Sequence, residues 1–107
     1  MIVKRDQREK RQFRGVDYLV GATGKRMMVT EMLFRPGQDV PPHSHPQEQS
    51  GYCVSGRFKL TIDDFTTEIG PGDTYVIPGG ARHSYRISED SLAVEVFSPP
   101  RGKPPQM

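Results

Sequence analysis

Apolar and polar residues alternate in short runs along most of this chain, and no segment keeps a 3.6-residue apolar period over three turns. Residues 57–63 are the clearest case: Phe58, Leu60 and Ile62 fall on one face, Lys59, Thr61 and Asp63 on the other. Asp63 and Asp64 form a turn into a second run, 65–69, so the two runs predict a hairpin. Residues 25–34, rich in Met, Val, Leu and Phe, predict another strand, and 49–54, 74–77, 83–87 and 92–97 complete the set. Gly70-Pro71-Gly72-Asp73 marks a turn before 74–77. In the last run Leu92, Val94 and Val96 share one face and Ala93, Glu95 and Phe97 the other. Many short strands divided by turns predict an all-β fold, an antiparallel barrel or two-sheet sandwich.

Composition agrees with that pattern. The 11 glycines and 10 prolines are spread along 107 residues, which suits tight turns rather than helices. The length predicts one domain with a thin core, and a homodimer would cover more apolar surface. The single cysteine, Cys53, excludes an internal disulfide and fits a reducing, cytoplasmic setting. Its position predicts a small, half-buried hydrophobe. Residues 1–10 are charged and hold no apolar run, which predicts no signal peptide, and no stretch is apolar enough to span a bilayer.

Charge is uneven. Residues 1–14 carry Lys4, Arg5, Arg8, Lys10, Arg11 and Arg14 against Asp6 and Glu9, a local +4, and the remaining 9 basic and 11 acidic residues give −2. With no second basic stretch to build a patch, residues 1–14 read as a charged, solvated lead-in to the first strand, not a nucleic-acid or membrane surface. The domain proper then runs over 15–100, and the proline-rich residues 101–107 form an extended tail.

All three histidines lie in two short motifs. One reads Gly37, five residues, His43-Ser44-His45, three residues, Gln49, six residues, Gly56; the other reads Gly72, five residues, Pro78-Gly79-Gly80, two residues, His83. An H-x-H pair on extended backbone points both rings the same way, about 6.6 Å apart, so both can converge on one ion. His83 comes from a separate predicted strand.

Every interval of these motifs resembles the paired motifs of the cupin superfamily, and the resemblance covers residues 15–100. It implies a single-domain cupin β-barrel, jelly-roll-like, holding one divalent ion (Zn, Ni, Fe, Mn or Cu) through His43, His45, Gln49 and His83. Gln49 stands where the family usually has Glu, and Ile87 where it usually has Asn. Glu48 competes with Gln49, but neighbours on a strand point to opposite faces and the motif spacing favours Gln49. Cys53 lies about 13 Å further along the strand and cannot reach the same ion. Three imidazoles and an amide are neutral donors, so a bound ion keeps its charge and acts as a Lewis acid. Oxygenases more often use two His and a carboxylate.

Segments 42–49, 70–80 and 96–101 resemble, more narrowly, the uronate-ketonising cupins of pectin and alginate breakdown. That resemblance implies tautomerisation of a 4,5-unsaturated monouronate, with Glu95 as the proton-transfer group where those proteins commonly have Asp. Residue patterning points the same way, since a carboxylate beside Phe97 on an inward face is desolvated and shifted toward acid/base duty; a solvated face would leave it ordinary. Arg101 is a candidate fork for a substrate carboxylate, and Phe97, Tyr52 and Tyr85 are candidate pocket-wall residues. Two other functions fit the same scaffold: a small metal-dependent dioxygenase or isomerase, and a non-catalytic module for a sugar or small acid.

Overall fold

A computed structural model describes residues 1–103. The chain folds as ten strands: β1 (Glu9–Phe13), β2 (Val16–Thr23), β3 (Met28–Phe34), β4 (Val40–His43), β5 (Glu48–Ser55), β6 (Phe58–Ile62), β7 (Phe65–Ile69), β8 (Thr74–Ile77), β9 (His83–Ile87) and β10 (Ser91–Ser98). A short 3-10 turn, Arg5–Gln7, precedes β1. Six strands form one antiparallel sheet in the order β1-β2-β3-β10-β5-β8, and four form a second in the order β4-β9-β6-β7. No helix among the described residues is long and apolar enough to cross a membrane.

The core lies between the sheets because inward positions alternate with outward ones along each strand. Strand β10 shows this most regularly, with Ser91, Ala93, Glu95 and Phe97 buried and their neighbours half-buried. Phe34, Phe58, Leu60, Ile69, Ile77 and Ile87 fill the interior. The predicted hairpin joins β6 to β7 with Asp63 at φ 52°, a conformation Asp tolerates better than bulkier residues. The Gly70–Asp73 turn closes with Asp73 N–H to Gly70 O at 3.0 Å and Gly70 N–H to the Asp73 carboxylate at 2.8 Å.

Three strands went unread in the sequence. Strand β4 contains Pro41 and Pro42, which suppress a strand reading; it survives as a sheet edge, where a missing N–H is tolerated. Strand β2 is apolar or half-buried on both faces and shows no alternation. Strand β1 lies inside the segment read as a solvated lead-in, and the sheet therefore begins at Glu9 rather than after residue 14. Charges in it and just before it are met by acidic neighbours: Arg8 pairs with Glu31 at 2.6 Å and Lys10 with Asp17 at 3.3 Å. A charged edge strand of this kind also discourages edge-to-edge association. Of the tail, Arg101 and Lys103 fold back against the barrel, with Arg11 donating to Lys103 O at 2.6 Å; residues 104–107 lie outside the described residues.

Candidate metal centre

The two histidine motifs meet at one end of the barrel. His43 closes β4, His45 follows in the loop, Gln49 is the second residue of β5 and His83 opens β9. His43 and His83 are cross-strand partners. Their ring centroids lie 4.2 Å apart, and His45 lies 4.9 Å from His83. Candidate ligand nitrogens of the three rings all fall within 4.8 Å of one another.

Hydrogen bonds set the tautomers. Each Nδ1 faces a backbone carbonyl: Pro41 O at 3.0 Å from His43, Gln47 O at 3.1 Å from His45, Ala81 O at 2.9 Å from His83. A carbonyl only accepts, so each Nδ1 carries the proton and each Nε2 keeps its lone pair. This is the arrangement that orients imidazoles around a metal. Burial, the largest cause in each case, lowers all three imidazole pKa values, with Arg101 pushing the same way, so the rings stay neutral.

Two details test whether an ion fits. His83 Nε2 is buried with no partner among the described residues, an expensive state for a lone pair. His45 faces an acceptor on both nitrogens, because Gln49 Oε1 lies 3.0 Å from Nε2. The Gln49 amide cannot be flipped without loss, since its Nε2 donates to the Tyr85 hydroxyl at 2.9 Å and that hydroxyl donates onward to Glu95. A neutral imidazole has one N–H and satisfies only one of its two acceptors. A cation held by His45 Nε2 and Gln49 Oε1 would resolve the conflict, and His83 Nε2 would gain a partner in the same ion. The residues fit a divalent ion.

Glu48 is exposed and points away, whereas Gln49 is buried at 3% exposure with its carbonyl oxygen toward His45. Cys53 is fully rather than half buried, on the same face as Gln49.

Glu95 sits beside this cluster, 1% exposed. Tyr75 and Tyr85 both donate to its Oε2, the latter at 2.7 Å. Burial raises the Glu95 pKa, opposed by the two phenols, Gln49 and the Arg101 charge. Burial and the neighbouring Glu95 charge raise both phenol pKa values, so Tyr75 and Tyr85 remain donors. A cavity of about 20 Å³ bordered by His43, Gln49, His83, Glu95, Phe97 and Arg101 joins the two features. That space holds one ion or one water. A second cavity of about 30 Å³ adjoins it, sharing Phe13, Met32, Phe97 and Arg101 and adding Met28 and Thr30.

Phe97 is buried and meets the His45 ring edge-on at 5.8 Å. The Arg101 guanidinium lies over Phe13 at 4.5 Å and over Phe97 at 5.8 Å, and makes no ion pair among the described residues. Tyr52 corrects the sequence reading: β5 turns Gln49, Gly51 and Cys53 inward, so Tyr52 faces out at 48% exposure and lines no wall of this site. Tyr85 is inside, where it borders the cavity beside Glu95 and also serves as a hydrogen-bonding group. Sequence reasoning missed Tyr75, Phe13 and Met32. For Tyr75 a signal was present, a glycine at the inward position between Gln49 and Cys53.

The cupin domain family matches residues 30–98. An uncharacterised protein of Streptomyces coelicolor is 39% identical over 84 residues, covering 78% of this chain and 80% of that protein. H2HPP isomerase of Bacillus subtilis is 33% identical over 67 residues, 61% of this chain but only 28% of that protein. The solved structure of KdgF from Halomonas sp. superposes with a TM-score of 0.82 at 26% identity, covering 94% of each chain.

Proposed function

The chain belongs to the cupin family, and from that premise we propose that it is a metal-dependent isomerase of a small carboxylic acid, with ketonisation of a 4,5-unsaturated monouronate as its reaction. The observation that carries this reading is a buried carboxylate, Glu95, held on the cavity that His43, His83 and Gln49 also border. The likeness to KdgF and to a protein named as an isomerase supports the reaction class.

His43, His45 and His83 through Nε2, with Gln49 through Oε1, would hold the ion. When bound, a divalent ion supplies a Lewis acid for a substrate oxygen. Ketonisation shifts one proton from an enol oxygen to carbon and needs no oxidant. Glu95 is the group that moves this proton: its raised pKa brings it nearer the working pH, and Oε2 is pinned by two phenols while the side chain borders the cavity. Arg101, half-buried and without an ion pair among the described residues, offers a planar fork to the substrate carboxylate. Phe97 and Phe13 hold that guanidinium in place and keep water from the carboxylate.

The test is loss of the enol absorbance when metal-loaded protein meets the uronate. Glu95→Gln keeps size and hydrogen bonding but cannot ionise, so kcat falls about 10²–10⁴-fold at unchanged metal content. Turnover by Glu95→Gln at the wild-type rate contradicts the proposal.

A further inference from the structure

Glu95 and Tyr75 stand two strands apart on the inner face of the six-stranded sheet. The register runs Thr30, Glu95, Gly51, Tyr75 across β3, β10, β5 and β8, each directly opposite the next. Adjacent strands are about 4.8 Å apart, so roughly 10 Å of backbone separates Glu95 from Tyr75. A tyrosine and a glutamate side chain bridge that gap only if nothing stands between them.

Gly51 stands between them and has no side chain. A Cβ built there would lie 2.1 Å from Tyr75 Cζ, 2.2 Å from Cε2 and 2.5 Å from the hydroxyl oxygen. The phenol therefore lies flat across β5, through the space any other residue would fill, and reaches Glu95 Oε2. Tyr85 reaches the same oxygen from β9 in the opposite sheet. The carboxylate is held from both walls of the barrel by donors to a single oxygen.

We propose that Tyr75 is a positioning residue for Glu95 and that Gly51 is the feature of the sequence that admits it. The hydroxyl fixes the carboxylate in the rotamer that borders the metal cavity. Its role in catalysis rests on the reading that Glu95 moves the proton; its role in placing the side chain does not. An aromatic ring laid over a strand glycine is also a packing device, which would need the ring and not the hydroxyl. The two roles separate cleanly, because Tyr75→Phe keeps the ring over Gly51 and removes only the donor.

The experiment is a crystal structure of wild type and Tyr75→Phe with metal content measured on the same samples. The expected result is an unchanged barrel, unchanged metal per chain and a Glu95 carboxylate that leaves its wild-type rotamer or occupies more than one. The double variant Gly51→Ala/Tyr75→Val removes the clash and the phenol together, and should free Glu95 in the same way. A single wild-type rotamer for Glu95 in both variants overturns the proposal. In turnover of the uronate, Tyr75→Phe should lower kcat about 10–100-fold with KM unchanged, the size of effect that small misplacements produce. A wild-type kcat in Tyr75→Phe also overturns it. Absence of uronate turnover in wild type itself would defeat the functional reading alone, while the Glu95 rotamer still decides the placement.

Discussion

Ala93 and Glu95 are neighbours on the inner face of β10 and equally buried, at 0% and 1% exposure, yet their surroundings differ in kind. Ala93 lies between Met32 and Cys53, on the side of the interior where Phe58 pairs with Ile69 and Ile87. Phe34 and Phe58 pack there with ring centroids 5.2 Å apart. Glu95, one step along, lies between Thr30 and Gly51 and is bound by two phenols, with Gln49 and the histidines one step beyond. One half of the interior is filled by dispersion and apolar burial; the other holds imidazole lone pairs and a carboxylate away from water. The same strands build both, so the fold's stability and its site are separable by residue.

The strongest way to break this contrast is a pair of truncations. Phe58→Ala removes a ring packed against Phe34, Tyr85 and Tyr75 and should lose about 3–5 kcal/mol of stability. Chains that remain folded should still bind metal, because no ligand is touched. His83→Ala should do the reverse. Losing a ligand should weaken metal affinity beyond the ~10–100-fold that loss of an outer-shell partner produces, while the metal-free protein keeps a folded barrel. Denaturant melts and a zinc competition titration on both variants check this. Equal loss of metal affinity in folded Phe58→Ala would show that the two halves are not separable.

A smaller effect is expected from pH in the metal-free protein. Burial lowers the three imidazole pKa values below the ordinary 6.5. Below that pH the unfolded chain binds protons the folded chain refuses, so stability falls as pH drops. Glu95 acts oppositely. Its pKa is raised above the ordinary 4.5, so its contribution is fullest below that value and is lost as pH rises through the raised one. Glu95→Gln should therefore melt higher than wild type near pH 8, with the gap closing toward pH 4.5. A melting point lowered at pH 8 would mean that the ionised carboxylate is a net stabiliser.

How far the sequence carried depended on whether a feature was local. Alternation in 57–63 and 92–97 identified β6 and separated the two faces of β10, because a strand's two faces are written in its own residues; the fold shows that the face of Glu95 is the inward one. The histidine motifs were legible for a similar reason: spacing is a local property. Strand β1 was hidden because its partners for Arg8 and Lys10, Glu31 and Asp17, lie on other strands. Tyr52 and Tyr75 show the same limit. Each is a tyrosine within a short strand, and only the register of β5 against β8 and β10 shows that Tyr75 crosses Gly51 to reach the carboxylate.

X-ray absorption fine structure on zinc-loaded protein tests the central claim most directly. The account predicts one zinc per chain with three imidazole nitrogens and no sulfur, falling to two imidazoles in His83→Ala and unaltered in Glu48→Ala. Fewer than three imidazoles in wild type, or a spectrum that changes with Glu48→Ala but not with Gln49→Ala, would contradict it.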